Sequence, residues 1–370
     1  MNLGQWAARL AAALIAGGLV LGGRAAAFHE KGVANCSGCH VAHGGEPGAL
    51  AGPSVDGGLL IAESPSDVCL LCHADSLGSV LGTDPLAPPP ERGAGSFVFL
   101  LEDNINDAPG GASDPILGDA SGHNLVAPGH ALSADPRHSL SPGGSFPASR
   151  MGCTSCHDPH GSSGFRMLRG AGPVMEGVAT FSGPAPDAEG TALGSGPERD
   201  GHHTAYLAGV SRWCANCHGQ YHEPGSGASF QHPVDVPLGA AVSQRYNEYQ
   251  GDASPGGGGR PTAYLAEVPF EDPTGDVSST EGPGPRSRVM CLSCHRAHGS
   301  SAPSAGRWDF GVALLADDGR ESGSHRIPNP YGDPGQGPLC QKCHAGTPDR
   351  LAPPTLGREA PFRDPTGPGW

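Results

Sequence analysis

All twelve cysteines of this 370-residue chain fall in pairs three apart: Cys36/Cys39, Cys69/Cys72, Cys153/Cys156, Cys214/Cys217, Cys291/Cys294 and Cys340/Cys343. Each pair is followed at once by a histidine, namely His40, His73, His157, His218, His295 and His344. Cys-x-x-Cys alone fits half of a zinc ribbon, a redox dithiol or the disulfides of an exported protein. None of these needs an imidazole at the next position. Six coincidences at a histidine frequency of about 5% have a probability on the order of 10⁻⁸. The spacing is that of covalent haem attachment: two thiols add to the porphyrin vinyl groups, and the adjacent imidazole binds the iron from the proximal side. Six motifs predict six covalently bound haem c groups.

The chain has 18 histidines, six of them proximal. Enough remain to give every iron a second imidazole. In "CHVAH", "CHDPH" and "CHRAH" the residues His43, His160 and His298 stand three after a proximal histidine. On a helix that advance is about 4.5 Å along nearly the same face, so such an imidazole cannot reach the distal side of its own ring. It must ligate another haem, cap its own propionate region or do nothing. Its recurrence in three of six motifs favours ligation of another haem, which forces the two haems together and makes the six a continuous electron path. His29, His123 and His232 are further distal candidates, with His222 held in reserve. His130, His138, His202, His203 and His325 are expected to be surface or propionate-facing. Met151, Met167, Met175 and Met290, although capable of high-potential ligation, are expected to be packing residues. Which distal histidine serves which iron stays open. No catalytic residue in the usual sense is expected.

The elements that position these residues must be built from unusual material. Gly 60 and Pro 38 make up roughly 26% of the chain, Leu, Ile, Val and Phe only roughly 17%, and the net charge is −15. A chain of this composition buries too little apolar side-chain surface to offset its conformational entropy. Six macrocycles can supply the missing core. The expected fold is therefore a haem-cored multihaem cytochrome c, mostly irregular coil, with short α-helices at the attachment motifs and little β structure. Short strands are expected at "SFVFLLED". "LEDNINDAPGGASD" offers Asp103, Asp107 and Asp114 to calcium, but the spacing lacks the EF-hand pattern and reads better as a solvated loop.

Residues 1–27, with Arg9, an apolar stretch of about fourteen residues and then Ala25-Ala26-Ala27, have the layout of a secretory signal peptide cleaved before Phe28. The stretch falls short of the ~20 apolar residues of a membrane span. The remaining chain carries 20 basic and 37 acidic residues, a net charge of −17, which repels nucleic acid and anionic lipid. Proximal histidines are 33, 84, 61, 77 and 49 residues apart. The alternation suggests three doubled units, 28–110 (haems 1–2), 111–225 (haems 3–4) and 226–370 (haems 5–6), all parts of one haem-cored body. Each opens with a motif that carries the second histidine three residues on and closes with one that lacks it.

The contexts of these motifs are more specific than the motifs. "FHEKGVANCSGCHVAH", "SGHNLV", "SPGGSFPASRMGCTSCHDPHG", "SRWCANCHGQYH", "QHPVDV", "TAYLAEVPFEDPTGD", "VMCLSCHRAHGS" and "PLCQKCHAG" run almost from end to end. In them the chain resembles the OmcS-like family of outer-surface hexahaem c-type cytochromes with paired motifs, which polymerise into extracellular filaments. The linkers between do not align. The resemblance implies bis-histidine ligation throughout and a head-to-tail homopolymer, in which His43 of one copy binds the haem held by Cys291, Cys294 and His295 of the next. It further implies an exported protein, moving from periplasm to outer surface, that conducts electrons from redox partner cytochromes to extracellular acceptors, with outer-sphere reduction of metal oxides possible. Two other classes compete. A monomeric periplasmic or surface carrier would stay a single low-spin particle. A multihaem reductase would need an iron with an open position, which six motifs and a surplus of histidines argue against.

Overall fold

The structure is a computed structural model, and it describes residues 36–41, 60–74, 80–90, 92–107, 114–174, 177–191, 196–222, 232–251 and 257–344. All six attachment motifs lie within these ranges. The signal segment, His29, His43 and Met175 lie outside the described residues.

Most of the chain is turn and coil. Four α-helices are described, and three carry attachment motifs: α1 (Pro65–His73), the single turn α2 (Cys153–Cys156) and α3 (Val210–His222). The fourth, α4 (Gly239–Glu248), carries none. The other three motifs sit on 3-10 turns at Cys36–Gly38, Cys291–Ser293 and Leu339–Lys342. Strands are two to four residues long and pair only as antiparallel couples: β1 (Asn106–Asp107) with β2 (Asp114–Pro115), β3 (Gly172–Pro173) with β4 (Thr180–Phe181), β5 (Asp187–Glu189) with β6 (Ala205–Ala208), and β7 (Val236–Pro237) with β8 (Arg288–Val289). Mostly coil, short helices and little sheet is the architecture expected of this composition.

The helices begin where polar side chains hold their first amides. Ser64 caps α1, accepting from the Asp67 amide at 3.1 Å, with Pro65 at the first helical position, where a missing N–H costs nothing. The α3 N-terminus is held by the buried Glu271, whose carboxylate accepts from the Val210 amide at 2.6 Å. Helical backbone breaks at His218 (φ −122°, ψ 43°), the proximal histidine.

The strand expected at "SFVFLLED" is instead a 3-10 helix, Phe97–Asn104. Ser96 accepts from the Val98 amide at 3.2 Å, an N-cap contact that competes with extended backbone. Phe97, Val98, Phe99 and Leu100 are all buried, which a strand with one solvated face could not achieve.

Apolar side chains form four small clusters rather than one core, and each contains attachment cysteines. Leu70, Leu81, Phe97, Leu125 and Leu132 pack with Cys153. Tyr246, Leu265, Trp308, Leu315 and Leu339 pack with Cys294, Cys340 and Cys343. Phe146, Val174 and Phe181 pack with Cys217, and Tyr206, Val210 and Met290 with Cys214. Met290 and Met151 belong to these clusters as packing residues.

Candidate haem attachment and ligation sites

None of the twelve cysteines is in a disulfide. Burial pushes the thiols of Cys217 up to about 11 and of Cys294 and Cys343 up to about 12. Sulfurs of successive motifs approach one another in chain order. Cys69 and Cys153 are in hydrogen-bond contact, as are Cys214 and Cys291. Cys39 lies within electrostatic reach of Cys72, Cys214 of Cys156, and Cys294 of Cys340 and Cys343. Attachment motifs consecutive in the chain are therefore neighbours in space.

The third and fifth motifs are built as copies. In each, the amide before the first cysteine donates to the serine between the cysteines, Gly152 to Ser155 Oγ at 3.0 Å and Met290 to Ser293 Oγ at 3.1 Å. The first-cysteine amide donates to a serine of the helix that carries the preceding motif, Cys153 to Ser66 Oγ of α1 and Cys291 to Ser211 Oγ of α3, both at 3.2 Å. Downstream, the chain turns back through non-glycine residues of positive φ, Arg166 and Met167 in one copy, Ser304 and Ala305 in the other. Such backbone is strained for β-carbon-bearing residues. The turn delivers a carbonyl to the proximal imidazole: His157 Nδ1 donates to Arg166 O and His295 Nδ1 to Ser304 O, both at 2.9 Å. Holding the proton on Nδ1 leaves the Nε2 lone pair for iron. His218 is held the same way by Pro142 O at 2.7 Å, on a different scaffold.

Four histidine pairs meet ring to ring. His40 faces His160 with centroids 6.1 Å apart, His157 faces His298 at 6.4 Å, His218 faces His123 at 6.0 Å and His344 faces His232 at 5.9 Å. With metal–imidazole nitrogen bonds of about 2 Å, two imidazoles trans on one metal have centroids about 6 Å apart. The residues present thus fit an iron held between two imidazoles at four of the motifs. Each pair joins one proximal histidine to one expected distal histidine from a different motif or linker. His123 Nδ1 donates to Ala297 O at 2.6 Å and His232 Nδ1 lies 3.0 Å from Pro233 O, so these rings are oriented as well.

Burial lowers His218 to about 4 and His298 to about 3, and lowers His157, His295 and His344 too. All five are neutral imidazoles at neutral pH, the form that binds metal. His295 meets Phe310 edge-on at 5.5 Å, and among the described residues no second imidazole lies opposite it. The reserve candidate His222 ends α3 with its Nε2 buried and without a hydrogen-bond partner, and it faces no other imidazole among the described residues.

The remaining histidines have other partners. His130 Nδ1 lies 3.1 Å from the buried Asp67, and His138 Nδ1 3.0 Å from Asp135. His203 is buried between the carbonyls of Thr204 and Ser279 and stacks on Tyr264. His325 is exposed. Asp103 accepts from the Gly118 amide at 2.6 Å, and no group of three or more ligating side chains that could hold a metal ion occurs among the described residues.

One buried carboxylate escaped the sequence reading. Glu102 has no exposed surface. It accepts from Ser121 Oγ at 2.8 Å, Ser301 Oγ at 3.2 Å and the Ser324 amide at 3.0 Å, and from Ser324 Oγ. Ser121 lies two residues before His123, and Ser301 three after His298. Glu102 therefore ties together the two segments that carry these imidazoles. Burial raises its carboxyl above the usual range, opposed by the four hydrogen bonds.

Residues 146–175 match the family model of the doubled CXXCH motif. The chain is similar to C-type cytochrome OmcS of Geobacter sulfurreducens, 29% identical over 418 aligned positions that span 86% of this chain and 94% of that one. Its fold is similar to that of the outer membrane cytochrome S filament from Geobacter sulfurreducens, with a TM-score of 0.70, 24% identity and coverage of 86% of this chain and all of the other. The OmcS nanowires of the same organism, studied by cryo-EM, give a TM-score of 0.72 at 26% identity, again over 86% of this chain. The fold is that of an OmcS-like multihaem cytochrome.

Proposed function

We propose that this chain is an exported hexahaem c-type cytochrome that conducts electrons to extracellular acceptors as a head-to-tail homopolymer. The four imidazole pairs at 5.9–6.4 Å are the observation that carries the reading. The twelve cysteines anchor six haem c groups, and His40, His73, His157, His218, His295 and His344 are the proximal ligands. His160 serves the iron of His40, His298 that of His157, His123 that of His218 and His232 that of His344. When bound, each haem supplies a one-electron iron couple, kept at low potential relative to histidine/methionine ligation by its two imidazoles. The protein sets tautomer and ring orientation through the Nδ1–carbonyl contacts, and lines up the attachment points in chain order. An imidazole from each side of every haem would leave no place for a substrate to bind iron, which favours electron transfer over inner-sphere catalysis.

The polymer follows from a rule internal to the chain. The extra histidine of the third motif, His160, is given to the first, and that of the fifth motif, His298, to the third. Each odd motif gives its second imidazole to the odd motif before it. Continued past the end of the chain, the rule brings His43 of the next copy to His295. His43 and His29, the candidate left for the iron of His73, lie outside the described residues. A contact between different surfaces of identical copies does not close on itself unless the rotation makes a ring, and otherwise it builds a filament. The solved filaments of the similar OmcS support the same assembly. Among the described residues no helix is long and apolar enough to cross a membrane.

The test is mass spectrometry and electron microscopy of secreted wild type and His43→Ala. Six haem masses in both proteins, with long filaments only in the wild type, are expected. Filaments of normal length from His43→Ala would remove the inter-subunit ligation, and fewer than six haem masses would remove the cofactor assignment.

A further inference from the structure

Among the positions where the copied odd motifs differ in charge, one lies directly beneath the attachment turn. After each proximal histidine the chain returns to bridge it, His40 with Leu60, His157 with Leu168 and His295 with Gly306. The next residue donates its amide to the second cysteine's carbonyl: Ile61 to Cys39 O, Arg169 to Cys156 O and Arg307 to Cys294 O. The first motif has an aliphatic residue there, the third and fifth an arginine.

Both arginines are buried, at 7% and 1% exposure. Each reaches under its attachment turn to the carbonyl of the residue after the first cysteine, Arg169 Nε to Thr154 O at 2.8 Å and Arg307 Nε to Leu292 O at 2.6 Å. Arg169 also donates to Pro173 O at 3.5 Å, and Arg307 to Ala266 O at 3.0 Å and Gly93 O at 3.2 Å. Arg169 retains a buried amino group without a partner, and among the described residues no carboxylate pairs with it. A guanidinium does not lose its proton, and burying one costs desolvation that a neutral brace would avoid.

We propose that Arg169 and Arg307 are fixed buried charges that raise the reduction potentials of the third and fifth haems above that of the first, where Ile61 holds the same position. The inference rests on the haem reading above. Reduction adds one electron to an iron centre and lowers its positive charge. A permanent cation at short range in a poorly screened interior therefore favours the reduced state. Bis-imidazole ligation makes the irons chemically alike, and the arginines would differentiate them without changing a ligand.

The experiment is an optical redox titration of the holoprotein, after mass spectrometry has confirmed its haem complement. Arg169→Gln and Arg307→Gln should each move about one sixth of the haem absorbance change to lower potential, and the double variant about one third. Arg169→Lys keeps the charge but loses the planar fork, so it should titrate close to wild type. Ile61→Arg should move about one sixth of the amplitude upward. Low-spin spectra should persist in all of them. Coincident titrations of wild type and both Gln variants would overturn the proposal. So would an Arg169→Lys shift equal to that of Arg169→Gln, since bracing alone would then explain the residue. A haem count below six would instead fail the underlying cofactor reading.

Discussion

Replacing Glu102 with Ala removes the acceptor that four donors share in a site with no exposed surface. Hydroxyls of Ser121, Ser301 and Ser324 can rotate towards other carbonyls, but the Ser324 amide is fixed by its backbone. Hydrogen bonds to a charged group contribute about 1.5–3 kcal/mol each, and a stranded buried donor costs about 1–3 kcal/mol. Against this stands the desolvation of the carboxylate, which its raised pKa records and which the substitution relieves. The balance is a loss of about 3–5 kcal/mol for Glu102→Ala, of the size reached when a buried polar network is broken. Glu102→Gln keeps a carbonyl oxygen for the Ser324 side and presents an amide to Ser121 Oγ, which can accept; its cost should be near 1 kcal/mol. Denaturant unfolding of the holoproteins, followed by the visible circular dichroism of the haems, measures both. The Ala variant should also disturb the haem signals, since Ser121 and Ser301 flank the segments of His123 and His298. An Ala variant within 1 kcal/mol of wild type, or a Gln variant as damaging as Ala, would show that the carboxylate does not tie these segments.

Two further outcomes are expected. Burial raises the Asp318 carboxyl from 3.8 to about 6, so the native state binds more protons than the unfolded chain between those values. Stability from this group is fully present below about pH 4 and is lost as pH rises through about 6, a swing of about 3 kcal/mol at most. Asp318→Asn should flatten that part of the stability–pH curve, and an unchanged slope would contradict the assignment. Removing the haems by converting all twelve cysteines to Ala should leave a chain with no cooperative thermal transition by far-ultraviolet circular dichroism, and a sharp transition would disprove the haem-cored reading.

Much of the site could be read from the sequence because covalent attachment fixes residue types at fixed spacing. The six motifs needed only residue types and spacing. The helical turns end at Cys156 and Ser293, and His157 and His295 form isolated β-bridges, so helix geometry, which suggests that His160 and His298 turn away from their own haems, does not describe the chain there. The sequence left open which iron each would reach, because linkers such as 177–191 carry no periodic signal and their course depends on contacts remote in the chain. Three-state structure was legible in outline and failed locally at Phe97–Asn104, where apolar richness suggested a strand and the Ser96 cap with all-round burial selects a tight helix. Glu102 gave no sign in sequence, as one acid among many acquires meaning only when three distant serines converge on it. Arg169 and Arg307 did leave a signal. They fall at the same distance from their proximal histidines, and aligning the motifs beyond the second imidazole would have exposed the match.

If the first motif passes its imidazole on as the third and fifth do, as proposed above, the chain terminus becomes just another step in a series. What propagates is the motif pair, and the polypeptide is a convenient length of it. A gene with one pair duplicated or deleted would therefore encode a longer or shorter link whose two ends still match those of its neighbours. Length could drift over evolutionary time while the thread, and any mixture of old and new links, stayed joined.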